Sequence, residues 1–449
     1  MATLDRTDGL SALAPASPIS ASNAYRAYVL FLIWLVLLFR IVDLQIIAVL
    51  MEGIRKEFSI SDTQLGFLTG VAFAVFYGTL GIPVAWLADH GNRRNIIVVA
   101  LSLWSFMTAL CGTVTSFAGL FLARMAVGVG EAGGTPPSYS LIYDYFSERR
   151  RATIFAMLNS SVPAGVFVGL LMGGYVNATF GWRAAFVVAG APGLIVAALI
   201  ALTLREPARR KPAVPDVNAR PALGKSLKYL LTVRSYRHLV LGSSLFTLGA
   251  LGSGIWIPSF FVRVHGMTMA DASTWLAFIY GGGGLLGVLL GGHIADSAAK
   301  RTGDKRWYAW LPAVTTVAIM PFAFFVYLWP GAMAALLMQT GTTILMHMWM
   351  GPIYGTVQGL AGASRRATAA ALNMLAVNLI GYALGPLLVG LASDFFSPLV
   401  GSESLRYSLL TVVVVAYAWA AAHFFLAAKT LRQDLLRAEG GTSAEAVSR

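Results

Sequence analysis

Apolar runs of about 20 residues, parted by short polar stretches, recur along the whole chain. A helix needs about 20 consecutive apolar residues to cross the hydrocarbon core of a bilayer. The pattern predicts an all-α membrane protein. The first six spans are predicted at 25–51, 63–88, 96–114 and 117–145, from just after Arg151, and at 184–204. Six more are predicted at 238–262, 271–296, 307–328, 331–359, 367–395 and 405–430. A polar loop, Glu52 to Asp62, parts the first two spans, and Pro136-Pro137 predicts a break in the fourth. Gly165, Gly169, Gly173 and Gly174 give the fifth a face for close packing. The short alternating strands of an outer-membrane barrel are not visible.

The polar stretches divide the chain. Residues 1–25 are rich in Ser and Ala and read as a disordered cytoplasmic tail; no basic start, short apolar core and cleavage site suggest a signal peptide. Residues 26–205 form a first six-helix bundle. The linker 206–237 carries Pro207, Pro212, Pro215 and Pro221, with room for an amphipathic helix at 223–231. Residues 238–431 form a second bundle, and 432–449 a charged tail. The halves echo one another. Ala88-Asp89 with trailing Arg93-Arg94 matches Ala295-Asp296 with trailing Lys300 and Arg301, and Arg150-Arg151-Ala152-Thr153 matches Arg365-Arg366-Ala367-Thr368. Together these argue for two pseudo-symmetric six-helix repeats.

Composition agrees. Of 449 residues, 57% are hydrophobic and only 12% charged, where a soluble domain is roughly a quarter charged. The net charge of +13 could suggest nucleic acid. The basic residues, however, gather in alternate loops: Arg93-Arg94, Arg149 to Arg151, Arg205 to Lys211, Lys300 to Arg306, Arg365-Arg366, and Lys429 with Arg432. Arg55, Lys56, Arg183, Arg263 and Arg406 are exceptions. This asymmetry predicts that both termini are cytoplasmic. Cys111 is the single cysteine and the six histidines lack ligand spacing, so no disulfide or metal site is expected.

Few charges lie at membrane depth, where each is costly and usually marks an ion or substrate path. Arg124 and Glu131 are seven residues apart, almost two turns, on one face of the fourth span, with Gly128 and Gly130 between them. Arg40 and Asp43 are neighbours at i and i+3 on the first span. Arg124 can partner either acid. A buried carboxylate whose cation moves away can take a proton, which is what proton coupling requires. The alternative is a permanent structural pairing of Asp43 with Arg40 or Arg124. The second half is more apolar; its polar candidates are Tyr280, His347, Tyr354, Gln358, Asn373 and Asn378, with Trp256 before Pro258.

Asp89-His90-Gly91-Asn92-Arg93-Arg94 resembles the motif between the second and third helices of major facilitator superfamily transporters, with Ala85 and His90 departing from its commonest form. Asn92, the Gly-x-Gly-Glu ending at Glu131, and Gly351-Pro352, Gln358, Arg366, Asn378, Gly381, Gly385-Pro386, Gly390 and Ser393-Asp394 resemble the spinster group. The likeness implies a bacterial inner-membrane, proton-driven transporter of lysolipids or sphingoid phosphates, working by alternating access without a cofactor, as a monomer. It implies proton coupling through Asp43, Glu131 and Arg124. The expected substrate contacts are Arg40, Arg124, Trp256, Tyr280, His347, Tyr354, Gln358 and Asn378. Asp89, Arg93, Arg94, Arg150, Asp296 and Arg366 are expected to gate, with Asp89 against the helix start near Arg366 and Asp296 against that near Arg150. The group's first helix usually carries Asp followed by Arg; here Leu44 follows Asp43 and the arginine is Arg40. Rival readings are a permease for small organic anions or drugs, and a receptor or channel, although no filter-like repeat is present. No nucleophile, metal constellation or phosphate-binding loop suggests an enzyme.

Overall fold

The structure is a computed structural model describing residues 22–207, 223–362 and 365–447. The expected tail up to Ala21 and most of the linker lie outside the described residues, as do a few side chains within helices, Asp89 among them. Every regular element among the described residues is helical.

Eight stretches are long and apolar enough to cross a membrane. Two of them, Thr153–Thr203 and Thr368–Ala438, each hold two spans, parted at Gly181 (φ 81°) and Gly401 (φ 59°). Both glycines adopt the left-handed backbone that a side chain would strain. Two further spans are cut by turns into pieces too short to count singly, which completes twelve. In chain order, α1 is Asn23–Phe58. α2 joins Asp62–Gly66, the π-helical Phe67–Val71 and Ala72–His90. α3 is Arg93–Cys111, and α4 joins Phe117–Glu131 to Thr135–Tyr145. α5 begins with Glu148–Asn159 and runs into Ser161–Thr203, whose part beyond Gly181 is α6. α7 is Arg234–Arg263. α8 joins Met269–Phe278, the π-helical Ile279–Gly283 and Gly284–Thr302. α9 is Trp307–Leu328. α10 joins Ala332–His347 to Met350–Leu360. α11 joins Arg366–Ala376, the π-helical Val377–Tyr382 and Ala383–Val400, and α12 is Ser404–Val447. The matching interruptions in α4 and α10, and in α2 and α8, express the repeat.

Two expectations need correction. The stretch from Glu52 is helical, not loop: α1 continues to Phe58 and stops at Ser59, whose φ of 50° ends it. The tail after Arg432 also continues α12, because Asp434 is buried and accepts from the Ser235 amide (3.0 Å) and hydroxyl (2.8 Å). That bond caps α7 and docks the end of α12.

The halves meet along two seams. On the α2–α11 seam, a methyl group placed on Gly66 would lie 2.5 Å from the Pro386 carbonyl oxygen, and one on Gly70 the same distance from that of Ala383. Further along, one on Gly78 would have 3.4 Å to Asn378, and one on Gly81 nothing within 4 Å. The α5–α8 seam repeats this: Gly174 is hard against Ser273, a methyl group on Gly281 would lie 3.5 Å from Phe167, and one on Gly282 would have nothing within 4 Å. Both seams are tight at the end holding Asp62 and Arg263 and loosen toward the end where both termini emerge.

Candidate functional site

Three helices bring the buried charges together between α1, α3 and α4. α1 carries Asp43, 3% exposed; α4 carries Arg124 at 1% and Glu131 at 0%. Arg124 donates to Asp43 at 2.9 Å, and the Thr108 hydroxyl on α3 donates to its other oxygen at 2.5 Å. Asp43 therefore pairs across helices with Arg124, not along its own helix with Arg40. Gly128 and Gly130 permit this: α4 packs so closely that a methyl group would sit 2.7 Å from Phe73 O and Trp104 N respectively. Phe73 also lies under the Arg124 guanidinium, 5.8 Å from its centre.

No donor group reaches either Glu131 oxygen, and its carboxyl lies within hydrogen-bond reach of the Asp43 carboxyl, a contact that needs a shared proton. Its charged surroundings are Asp43, Arg40 and Arg124. Arg40 is half-buried and has no hydrogen-bond or ion-pair partner among the described residues; its Nε is fully enclosed. Around Arg40 stand Tyr77 on α2, Tyr139 on α4 and Tyr382 on α11, with Glu131. Tyr354 on α10 lies near Tyr382. Tyr139 donates to Asn159 at 3.2 Å, whereas the Tyr77, Tyr354 and Tyr382 hydroxyls have no hydrogen bond among the described residues. The site thus spans both halves: two acids and two cations in the first, open phenols from both. Tyr77, Tyr139, Tyr382 and Thr108 were missed by sequence reasoning. Tyrosines and threonines are common in apolar spans, and nothing local marks these as convergent.

The other expected contacts scatter. Trp256 is fully buried and donates to the Pro386 carbonyl at 3.0 Å, fastening α7 to α11. His347 Nδ1 bonds the Thr343 carbonyl at 2.8 Å, and its ring packs beside Gly284. Tyr280 accepts from Gln339 at 3.3 Å inside the second half. Asn378 is buried on the α2–α11 seam, while Gln358 is exposed.

At the end bearing the termini, Arg93 is 1% exposed and bonds Asp144 and, at 2.7 Å, Glu206. Arg94 bonds Ala201 O and, through its amide, Glu206 at 2.8 Å. Arg93 ties α3 to α4, and both arginines tie it to the end of α6 or the segment just beyond, within one half. Asp296 accepts from Tyr308 at 2.9 Å, and Arg150 is exposed with no side-chain partner among the described residues. Arg366 is likewise exposed, and Asp89 lies outside the described side chains.

The opposite end is closed by a network the sequence did not reveal. Arg263 of α7 bonds Glu52 of α1 at 2.8 Å and Asp62 of α2 at 2.7 and 3.0 Å. Ser393 of α11 donates to Asp62 at 2.6 Å. Asp394 accepts from the amides of Asp62 (3.1 Å) and Thr63 (2.8 Å), capping α2 from the other half. Four of the five basic exceptions are neutralised at this end: Arg55 by Asp62, Arg183 by Glu57, Arg263 by Glu52 and Asp62, and Arg406 by Glu403.

A cluster of ionisable groups between two helical repeats, sealed at one end and loosened at the other, is the layout of a carrier. Residues 33–386 match the Major Facilitator Superfamily. The chain belongs to this superfamily. Among curated relatives, this facilitator is 30% identical to an MFS-type efflux pump of Mycolicibacterium smegmatis, over 88% of this chain and 91% of that one. It is 27% identical to a sphingosine-1-phosphate transporter of Danio rerio, over 79% and 73%. Among solved structures, it matches a bacterial homologue of the human lysosomal transporter Spinster, in an inward-facing and unoccupied conformation. That match has a TM-score of 0.85 and 30% identity, covering 92% of this chain and 99% of that one. This facilitator is a membrane-spanning transporter, not an enzyme, related to spinster proteins and efflux pumps.

Proposed function

We propose that this facilitator is a proton-coupled secondary transporter that moves an amphipathic lysolipid or sphingoid-phosphate-like molecule by alternating access. It would act in a bacterial inner membrane with both termini in the cytoplasm. The observation that carries the reading is the pairing pattern. A buried carboxyl that no donor satisfies, Glu131, lies against the Asp43 carboxyl of the Asp43–Arg124 pair, and the nearby Arg40 has no ion-pair partner among the described residues. A fully paired structural cluster would leave neither group open. The open phenols of Tyr77, Tyr354 and Tyr382 supply neutral donors for an anionic head. The chain's likeness to a sphingosine-1-phosphate transporter supports the substrate class. The orientation is supported by the basic loops at the end of the termini and by neutralised arginines at the other. Protonation of the acids would free Arg124 and bias the halves toward one facing state. In this scheme Asp89, Arg93, Arg94, Arg150, Asp296 and Arg366 would act when the loose end closes.

A second reading, a proton-coupled permease for a small organic anion or drug, is favoured by the likeness to an efflux pump. Uptake of labelled lysolipid and labelled aromatic acids into proteoliposomes, at pH 6 and pH 8, tests both. Lysolipid transport that responds to pH supports the first reading. Transport of aromatic acids alone establishes the second.

A further inference from the structure

Two of the six histidines meet on the outer face of the second half, away from the central charges. His238 follows Arg237 in the first turns of α7, and His423 lies on α12 six residues before Lys429, about 9 Å along a helix. Arg234, Arg237, Lys429 and Arg432 are exposed and mark the water side of this end. The pair therefore sits just inside it, at the depth of the lipid headgroups. Trp419, one turn deeper and exposed, stacks against His423 with ring centres 6.5 Å apart, at the boundary where tryptophan is enriched.

The two Nδ1 atoms are 2.9 Å apart. The ring centres lie 5.1 Å apart, about that separation plus one ring radius on each side, so the nitrogens face one another almost in line. One must carry a hydrogen and the other accept it. The donor ring then has a bare Nε2, and a proton taken up there makes the shared bond charge-assisted and stronger. A second proton would set N–H against N–H. The pair is thus built to hold one positive charge, and histidine gains its charge between pH 5 and 8. Neither Nε2 has a hydrogen bond among the described residues, and neither is sealed from the surface. The charged group facing the pair is Arg237; no carboxylate acts on either ring. Two nitrogens beside a cation, with no third ligating side chain among the described residues, suit an anion better than a metal. Leu241 on α7 and Val415 and Trp419 on α12 are exposed at helical spacing from the histidines, an apolar wall running deeper into the membrane.

A cation at headgroup depth above an apolar wall is complementary to a molecule with an anionic head and acyl chains. We infer that His238, His423 and Arg237 hold the phosphate head of an anionic phospholipid, whose chains lie along Leu241, Val415 and Trp419. This lipid is a resident of the membrane, separate from the central site, and it clasps α7 to α12. The protonated pair adds a charge to that of Arg237, so the lipid is held more tightly in acid.

The test uses the full-length protein in phosphatidylcholine nanodiscs. A trace of phosphatidylglycerol or phosphatidylcholine is added, with a photoactivatable group in the acyl chain. The phosphodiester of phosphatidylglycerol keeps one negative charge at both pH 6 and pH 8, so a pH response belongs to the protein. After illumination, labelling of the α12 peptide bearing Trp419 is measured. The expected result is several-fold more labelling by phosphatidylglycerol than by phosphatidylcholine, and several-fold more at pH 6 than at pH 8 for phosphatidylglycerol alone. The double variant His238→Gln, His423→Gln should lose the pH response, and Arg237→Gln should lower labelling by phosphatidylglycerol at both pH values. A melting transition like the parent's shows that a variant is folded; should one fail, the lipid preference and pH response of the parent still decide. Equal labelling by the two lipids, a parent without a pH response, or a pH response that survives in the double variant overturns the inference. Displacement of the tracer by inorganic phosphate or by zinc ions overturns it too, assigning the pair to free phosphate or to a metal.

Discussion

Asp43 shows what one side chain does here. Its carboxylate holds Arg124 and receives Thr108, and all three are out of water. Removing one member of a buried pair leaves the other charge uncompensated, at a cost of about 3–5 kcal/mol. Asp43→Asn should therefore lower the melting temperature of the detergent-solubilised protein clearly, whereas Glu131→Gln, which breaks no ion pair, should not. In transport the ranking reverses. Glu131→Gln should flatten the difference in uptake between pH 6 and pH 8; a pH response equal to that of the parent would remove Glu131 from the proton path. Sequence reasoning found all four charged residues, because a charge in an apolar run stands out by itself. It left the partner of Asp43 open between Arg40 and Arg124. That choice rests on a 2.9 Å approach across 81 positions of chain.

At the level of the helix, the glycines decide how the halves touch. Gly66 and Gly70 let α2 lie against the backbone of α11 around Pro386 and Ala383, and backbone cannot step aside as a side chain can. Gly66→Val should wedge this seam apart. A cysteine at Ala383, in a Cys111→Ser background, should then react with a water-soluble maleimide several-fold faster. Gly81→Val, at a position with open space around it, should leave that rate unchanged. Equal rates in the two variants would mean that the seam does not hold the halves together. The twelve spans themselves were legible to within a few residues at most ends. The misreadings lay where local polarity and tertiary docking disagree. Glu52, Arg55, Lys56 and Glu57 look like loop, yet α1 carries them in helical form because Arg263 and Arg183 neutralise the two acids.

For the whole molecule, the Glu52–Arg263–Asp62–Asp394 network joins four helices from two halves and keeps one end shut. Arg263→Gln would leave Glu52 and Asp62 without their shared cation. Spin labels at Lys56 and Ser397, exposed on opposite halves at that end, should then show a longer and broader distance distribution. An unchanged distribution would mean that the network is incidental to closure.

The sequence alone determined that the chain lives in a membrane, how many times it crosses, that it repeats itself, and which charges are held inside. Each of these is a property of one stretch at a time, since transfer of apolar residues from water sums along the chain. Only the tertiary structure decided that Arg124 rather than Arg40 holds Asp43, that Trp256 is a fastening between helices, and that Asp296 turns to Tyr308. It also decided that phenols from both halves surround Arg40 and that Asp62 closes one end. Hydrogen bonds and ion pairs depend on approaches of about 3 Å, and those are set by how helices far apart in the chain cross one another.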